Sequence, residues 1–417
     1  AEMRGEKFDE LIFGRVTSED VYDTAWVLIC EAGSMITKSI LHLILASQID
    51  WIKVRSSLTC HTVNGVCQQC YGMDLSNREL VDLGIPVGVI SSQSIGEPAT
   101  QLTMRTFHSW WVANVAWDMT QGIKRIEELF EVRNPKKPAI VVPYDGTVYV
   151  YESAKKMEIE IVSEPQPKTY IIKDWYSCEV RVGDEIKKGG SYAAKWRSLL
   201  KVKDEGVVLH VFSDYIVLGE VQRTRKKLVI WTVLKVKNEA QVFKGQVIST
   251  WAIDIREYMH ILWPLEAQRY VVNEIKRVYT SQGQDVNDKY METIVKQLFS
   301  KVLIEDAGNS SFVPGTIIKY EEFLAKNREL EEQGKQAARG ERLALGLTQV
   351  AKESDSWLSA ASFQETIRVM VEASTKWAID HLSDLKANVI IGRLLPVGEI
   401  FRKQLAGEEE VYDGLDD

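Results

Sequence analysis

One segment of the chain carries four side chains of the kinds that handle nucleotides. Within Pro98 to Gly122, PATQLTMRTFHSWWVANVAWDMTQG, the residues Gln101, Met104, Arg105 and His108 fall at i, i+3, i+4 and i+7. In a helix that spacing puts an amide, a thioether, a guanidinium and an imidazole on one face. Such a set is not a core stripe. Met104 suits the plane of a base, Arg105 and His108 suit phosphate oxygens, and Gln101 suits a sugar hydroxyl. A surface helix with an incidental histidine shows the same pattern, and spacing alone favours that blander reading.

A second group is Cys60-x6-Cys67-x2-Cys70, with Gly65 between the ligands. A C-x2-C knuckle brings two thiolates to one metal, and a structural Zn2+ takes four ligands in a closed tetrahedron. Three are close in sequence; Cys30 and His61 are weaker candidates for the fourth. Cys178 stands alone in a strand-like stretch, as a core thiol does. Five clustered cysteines suit a reducing compartment and a metal site better than a disulfide framework.

Around these groups the hydrophobic period changes twice. Ile36, Ile40, Leu43 and Ile44 sit at helical spacing ahead of the cysteines. Val81 to Ile95 is apolar and runs into SSQSIGEP, where Gly96 and Pro98 predict an interruption of the helix and a hinge. A second helix is expected over 120–133, with Ile123, Ile126, Leu129 and Phe130 on one side, stopping at Asn134 and Pro135. From 139 to about 255 the period becomes two, in IVVPYDGTVYVY, KMEIEIV, GVVLHVF and KLVIWTVLKV. Within it VRVGDEIKKG (180–189) echoes VKNEAQVFKG (236–245), and each is accompanied by an acidic residue and Gly opening a strand pair, Asp145-Gly146 and Glu205-Gly206. Helices are expected again over 265–280, 288–303, 320–333 and 360–383, with an extended piece at Pro314-Gly315. The fold class is therefore α+β.

Length and charge bound the function. At 417 residues the chain has room for two or three domains, and 45% apolar residues suffice for cores. It has no apolar run near the roughly 20 residues of a membrane span and no signal-peptide pattern, so a soluble, cytoplasmic protein is expected. A net charge of -8 argues against a protein that coats nucleic acid throughout. Part of that charge lies in 406–417, expected as a solvated, disordered tail.

Six stretches, in order, resemble the C-terminal part of the β′ subunit of bacterial-type multisubunit DNA-directed RNA polymerase. They are VRSSLTCHTVNGVCQQCYGMDL (54–75), GVISSQSIGEPATQLTMRTFH (88–108), DMTQGIKRIEELFEVRNPK (118–136), QRYVVNEIKRVY (268–279), WLSAASFQET (357–366) and LKANVIIGRLLPVG (385–398). The resemblance implies an α region at 1–53, a zinc-binding cysteine module at 54–80 and trigger-loop helices at 81–135. It further implies β-rich jaw or barrel-sandwich hybrid modules at 136–257 and a helical clamp, switch and subunit-docking region at 258–405. A lipoyl-type carrier is the rival reading of the β modules, but Lys188 and Lys244 sit at strand entries beside Gly rather than at hairpin tips.

The implied function is DNA-templated RNA synthesis from nucleoside triphosphates in an assembly with the β, α and ω subunits, sigma factor and the rest of β′, on template DNA and RNA. Gln101, Met104, Arg105 and His108 would close over the nucleotide. Lys352, Ser359, Ser362 and Gln364 would bind template phosphates. Cys60, Cys67 and Cys70 would hold a structural Zn2+ whose fourth ligand lies outside the chain. The catalytic Mg2+ ions need clustered carboxylates, and the sequence contains no Asp-x-Asp-x-Asp; their ligands are expected elsewhere, so the chain is read as a fragment and inactive alone. The alternative is a zinc-containing nucleic-acid-binding or assembly module without a catalytic role.

Tryptophan is over-represented, with 12 residues against 11 Phe. Trp110 and Trp111 stand where the family has a Gly pair, Trp263 and Trp377 also stand at family Gly positions, and Trp26 is a further candidate. Trp117 belongs to the same loop, whereas Trp357 occupies a position where the family accepts an aromatic. UGA codons read as Gly by the source organism and as Trp in translation would produce this pattern; genuine substitution is the alternative.

Overall fold

The computed structural model describes residues 7–398, except 48, 50, 64, 109–112, 154–155, 173–174, 197, 204, 213, 229–231 and 396; the side chains over 102–121 and 152–156 also lie outside the description. The expected tail at 406–417 therefore falls outside the described residues. The chain divides into two compact units, Ala1–Arg133 with Pro264–Asp417, and Asn134–Trp263.

The first stretch of the first unit begins with α1 (Phe8–Ile12), the hairpin β1 (Val21–Tyr22) and β2 (Leu28–Cys30), and α2 (Lys38–Ala46). Ile12, Ile36 and Ile44 are buried together here. Then come α3 (Gln68–Tyr71), the long α4 (Val87–His108) and α5 (Ala113–Phe130). The expected break at Gly96 and Pro98 does not occur: α4 runs through Pro98, which is buried within it. Proline deprives Ser94 O of its i+4 donor, yet a helix held on both sides tolerates the loss. The helix after it starts at Ala113 rather than Thr120.

The second unit consists of antiparallel strands. Its elements are β3 (Gly146–Ser153), β4 (Lys156–Ser163), β5 (Gln166–Ile171), β6 (Ser177–Cys178), β7 (Glu185–Ile186), β8 (Ser191–Lys195), β9 (Ser198–Lys201), β10 (Gly206–Val211), β11 (Tyr215–Glu220), β12 (Arg223–Leu228), β13 (Ala240–Val242) and the helix α6 (Ile255–Ile261). They form sheets ordered β5-β11-β10-β7, β12-β4-β3-β13 and β6-β8-β9. Two separate cores result, one of Ile140, Val148, Ile159, Ile161, Val242 and Ile248, the other including Ile186, Tyr192, Val208, Ile216 and Leu218.

The sequence echo is structural. Ile186 and Val242 are each buried in one of the two cores, and Gly189 (φ 79°) and Gly245 (φ 83°) both turn left-handed behind them. At the third matched position Gly183 (φ 92°) is answered by Glu239 (φ 63°). Gly146 and Gly206 open their strands so close to the neighbouring backbone that a Cβ would lie 2.0 Å and 2.3 Å from the carbonyls of Val162 and Gly219. No other residue fits there.

The chain then returns to the first unit with α7 (Pro264–Ser281) and α8 (Asp288–Leu298), the sheet of β14 (Lys301–Asp306), β15 (Ile317–Lys319) and β16 (Arg339–Leu343), and α9 (Tyr320–Glu332). It ends in α10 (Leu347–Lys352), α11 (Trp357–Ala361), α12 (Thr366–Thr375) and α13 (Leu385–Ile391). The helix expected over 288–303 stops at Leu298, because Val302 and Ile304 are buried as the centre strand of the β15-β14-β16 sheet; tertiary pairing overrides the continued apolar period. The one expected over 360–383 is limited to α12. The core of this unit joins α5, α7 and α8 through Leu129, Val271, Ile275, Tyr279, Met291, Val295 and Phe299. Asn287 caps α8, its side chain accepting the N–H of Lys289 at 3.2 Å. Among the described residues no helix is long and apolar enough to cross a membrane.

Candidate metal centre and the helix beside it

Cys60 follows a single helical turn, Ser57–Thr59, that Ser56 caps by accepting the N–H of Leu58 at 3.1 Å. Gly65 turns left-handed (φ 79°), and Cys67 and Cys70 stand at the cap and in the body of α3. The result is that the Sγ atoms of Cys60, Cys67 and Cys70 all lie within 4.8 Å of one another. A tetrahedral zinc with Zn–S bonds of about 2.3 Å separates its sulfurs by about 3.8 Å, so the three thiols fit one ion.

The electrostatics agree with that donor set. The hydrogen bond shared with Cys70, then the N–H of Cys67 at 3.4 Å and Thr62 Oγ1 at 3.2 Å, hold the Cys60 thiol well below its ordinary value. The same shared proton, with burial, pushes Cys70 up. Arg55 Nη2 lies 3.9 Å from Cys67 Sγ and supplies positive charge beside the thiolates. Cys30 and His61 do not join the group; among the described residues it has three members. Cys30 is buried and His61 exposed.

Behind the cysteines, α8 ties the module to α4. Glu292 receives Arg15 at 2.7 and 3.1 Å and the hydroxyl of Ser56 at 2.7 Å. One turn earlier the Nζ of Lys289, buried, donates to the carbonyl of Met73 and lies over the rings of Tyr71 and Tyr290 at 4.7 and 5.3 Å. Burial pushes this lysine down to about 8. Arg15, Tyr71, Ser94, Glu97, Pro98 and Lys289 line a polar cavity of about 480 Å³ beside the middle of α4. None of this bracing was visible in the sequence, since its members are separated by as many as 277 positions.

The putting together of the four nucleotide-type residues is a matter of helix continuity. Gln101, Met104, Arg105 and His108 all belong to the backbone of α4. Gln101 is exposed and donates to Glu97 one turn before it. The side chains of Met104, Arg105 and His108 lie outside the described residues.

Of the four residues expected to meet template phosphates, Ser359 and Ser362 are joined through a hydrogen bond and Lys352 pairs with Glu365, next to Gln364. Ser359 lines a cavity of about 500 Å³ together with Lys296, Lys301, Lys319, Asp355 and Lys386. Lys301 and Lys319 both reach Asp355, whose carboxyl is held below its ordinary value by them. Lys352 instead pairs with Glu365 at 2.5 Å, and Ser362 and Gln364 are exposed outside the cavity lining. The lysines of the cavity come from α8, β14, β15 and α13, whose meeting no local pattern could have pointed to.

The family model for RNA polymerase Rpb1, domain 5, matches residues 20–354. The DNA-directed RNA polymerase subunit beta' of Roseiflexus castenholzii is 36% identical over 421 residues, covering 98% of this chain and 28% of that relative. Those of Caldanaerobacter subterraneus and Acetivibrio thermocellus are 38% identical over 395 residues, covering 94% of this chain. The chain thus spans only 28 to 29% of the length of these curated relatives.

Proposed function

The chain belongs to the family of RNA polymerase Rpb1 domain 5 and the DNA-directed RNA polymerase β′ subunit, and from that premise we propose that it is the β′ segment that closes on the incoming nucleoside triphosphate during DNA-templated RNA synthesis. The reading is carried by one observation: Gln101, Met104, Arg105 and His108 occupy successive turns of the backbone of a single helix, α4. The lower half of that helix is braced by α8, and its upper half carries the reactive set.

In this role Met104 packs on the base and Gln101 bonds the ribose. Arg105 and His108 place positive charge on the phosphates, where charge develops as pyrophosphate leaves. Catalytic Mg2+ would stabilise the attacking and leaving oxygens; its ligands belong to other parts of the enzyme. Zn2+ on Cys60, Cys67 and Cys70 would fix the fold of 54–80 rather than take part in the reaction. The β strands of 136–257 serve as the jaw, and 258–405 as clamp and docking region.

Partners follow from exposed surfaces. Ile367 and Val371 of α12, and Val389, Ile390 and Leu394 at α13, are apolar and exposed, which suits docking by the β, α or ω subunits. Sigma factor, template DNA and RNA complete the assembly. Ser359 and the lysines of its cavity, together with Lys352, Ser362 and Gln364, are the candidates for contact with template phosphates.

The test is pre-steady-state nucleotide addition by the assembled enzyme at saturating substrate. His108→Ala and Arg105→Ala should each slow addition by about 10²-fold or more, and Met104→Ala should act chiefly on substrate binding and base discrimination. Unchanged addition rates with collapsed DNA binding would make this helix face a nucleic-acid contact instead.

A further inference from the structure

Nine described residues other than glycine have positive φ, and four of them are tryptophans: Trp26 (60°), Trp175 (71°), Trp196 (41°) and Trp377 (51°). The left-handed region crowds a Cβ against the following carbonyl, and a bulky side chain there is an outlier that needs a reason. Burial is the usual reason for a tryptophan to persist. These four have none, being 83%, 86%, 103% and 89% exposed.

The local hydrogen bonding at three of them is of a kind that calls for glycine. Trp377 is the residue just past the cap of α12: its N–H donates to Ser374 O at 3.3 Å and the next N–H, of Ala378, donates to Ala373 O at 2.9 Å. That is a complete Schellman ending with Trp at the position usually held by Gly. Trp196 opens the two-residue turn between β8 and β9, where Lys195 pairs with Ser198, and such turns favour Gly or Asn at positive φ. Trp26 lies in the β1–β2 turn, closed by Asp23 N–H to Val27 O and Trp26 N–H to Asp23 O, both 2.9 Å.

Two other residues in the same conformation have something to hold them. Val132 ends α5 by the same geometry but is buried, and Glu365 pairs with Lys352 and Arg368. Two tryptophans with ordinary backbone are packed: Trp251 is partly buried under Lys137 at 4.9 Å, and Trp357 is partly buried at the start of α11, whereas Trp51, also with ordinary backbone, is exposed. Trp263, one of the positions suspected from sequence, is exposed but not left-handed, so its backbone makes no demand for glycine.

We propose that Trp26, Trp175, Trp196 and Trp377 are glycine in the polypeptide made by the source cell, each encoded by a UGA codon read there as glycine, while Trp251 and Trp357 are tryptophan encoded by UGG. Trp175 and Trp196 were not marked by any sequence signal; their backbone alone singles them out. The same decoding places glycine at Trp110 and Trp111, which lie outside the described residues.

Tandem mass spectrometry of the polymerase purified from the source organism, read beside the gene, tests the assignment. Glycine in the peptides spanning 26, 175, 196 and 377, UGA at their codons, and tryptophan at 251 and 357 is the expected result. Tryptophan in those four peptides, or UGG at their codons, overturns it. A second measurement needs no source material. The chain made with Trp26→Gly, Trp175→Gly, Trp196→Gly and Trp377→Gly together should unfold at higher denaturant than the chain as read, and a lower midpoint would count against these being glycine sites.

Discussion

The hydroxyl of Tyr279 on α7 donates to the main-chain carbonyl of Ile95 on α4 at 2.9 Å, across 184 residues of sequence. Ile95 stands three residues before Pro98, in the turn that proline weakens by lacking an N–H. Tyr279 is fully buried, so its hydroxyl has no water to turn to. This bond fastens α4 to α7 beside the turn in which Pro98 leaves the Ser94 carbonyl without its helical donor.

Removing that hydroxyl is the first prediction. Tyr279→Phe should destabilise the chain by about 0.5–1.5 kcal/mol, the net contribution of one intramolecular hydrogen bond. In a double-mutant cycle with Pro98→Ala, which returns an N–H to the same turn, the two changes should couple by at least about 0.5 kcal/mol. Urea midpoints of the four proteins measure it; strict additivity would separate the tyrosine from the proline.

The brace at Glu292 gives a second. Arg15 and Ser56 both bond this nearly buried carboxylate, and cutting out one charge leaves the other uncompensated. Glu292→Ala should cost about 3–5 kcal/mol, whereas Arg15→Met with Glu292→Leu should cost far less, since a well-packed apolar pair can replace a buried ion pair. Denaturant unfolding of the single and double variants distinguishes a charge effect from lost packing.

Lys289 makes stability depend on pH. Its pKa falls from 10.5 to about 8 on folding, because burial disfavours the ammonium more than Asp74 restores it. The folded chain therefore binds fewer protons than the unfolded one between those values, and stability should rise as pH rises from about 8 toward 10. The penalty relieved over the full interval is about 3 kcal/mol. Burial raises the ionisation of Tyr71 and Tyr279, so above about 10 the ordinary ionisation of unfolded tyrosine acts in the opposite direction. Chemical denaturation at pH 7, 8 and 9 should show the rise, and Lys289→Met should flatten it.

The zinc prediction concerns affinity as well as presence. With three cysteine sulfurs converging and neither Cys30 nor His61 among them, this chain alone should release Zn2+ to a chelator more readily than the complete subunit, which would add a fourth ligand. Cys67→Ser should lower bound zinc and thermal stability while leaving the nucleotide-addition rate of any enzyme that assembles unchanged. Metal analysis after dialysis, with and without chelator, reads the first two quantities; a zinc content equal to that of the unaltered protein would count against the site.

What the sequence determined by itself was local. The C-x6-C-x2-C spacing brought three thiols together because Gly65 and the first turn of α3 need only neighbouring residues to form. The switch from period 3.6 to period 2 near 136, and the 56-residue echo, marked two small β cores because alternation decides which side chains face inward. The i, i+3, i+4, i+7 set on α4 was likewise legible from spacing. Tertiary structure decided the rest. Pro98 reads as a breaker in the sequence, yet it lies buried inside a continuous α4. Residues 301–303 kept a helical apolar period until their pairing with 317–319 and 339–343 made them strand. The lysines around Ser359, and the bracing of Arg15 by Glu292, involve residues tens to hundreds of positions apart. Sequence patterns report the period of one element, whereas those relationships exist only once several elements have packed and excluded water between them.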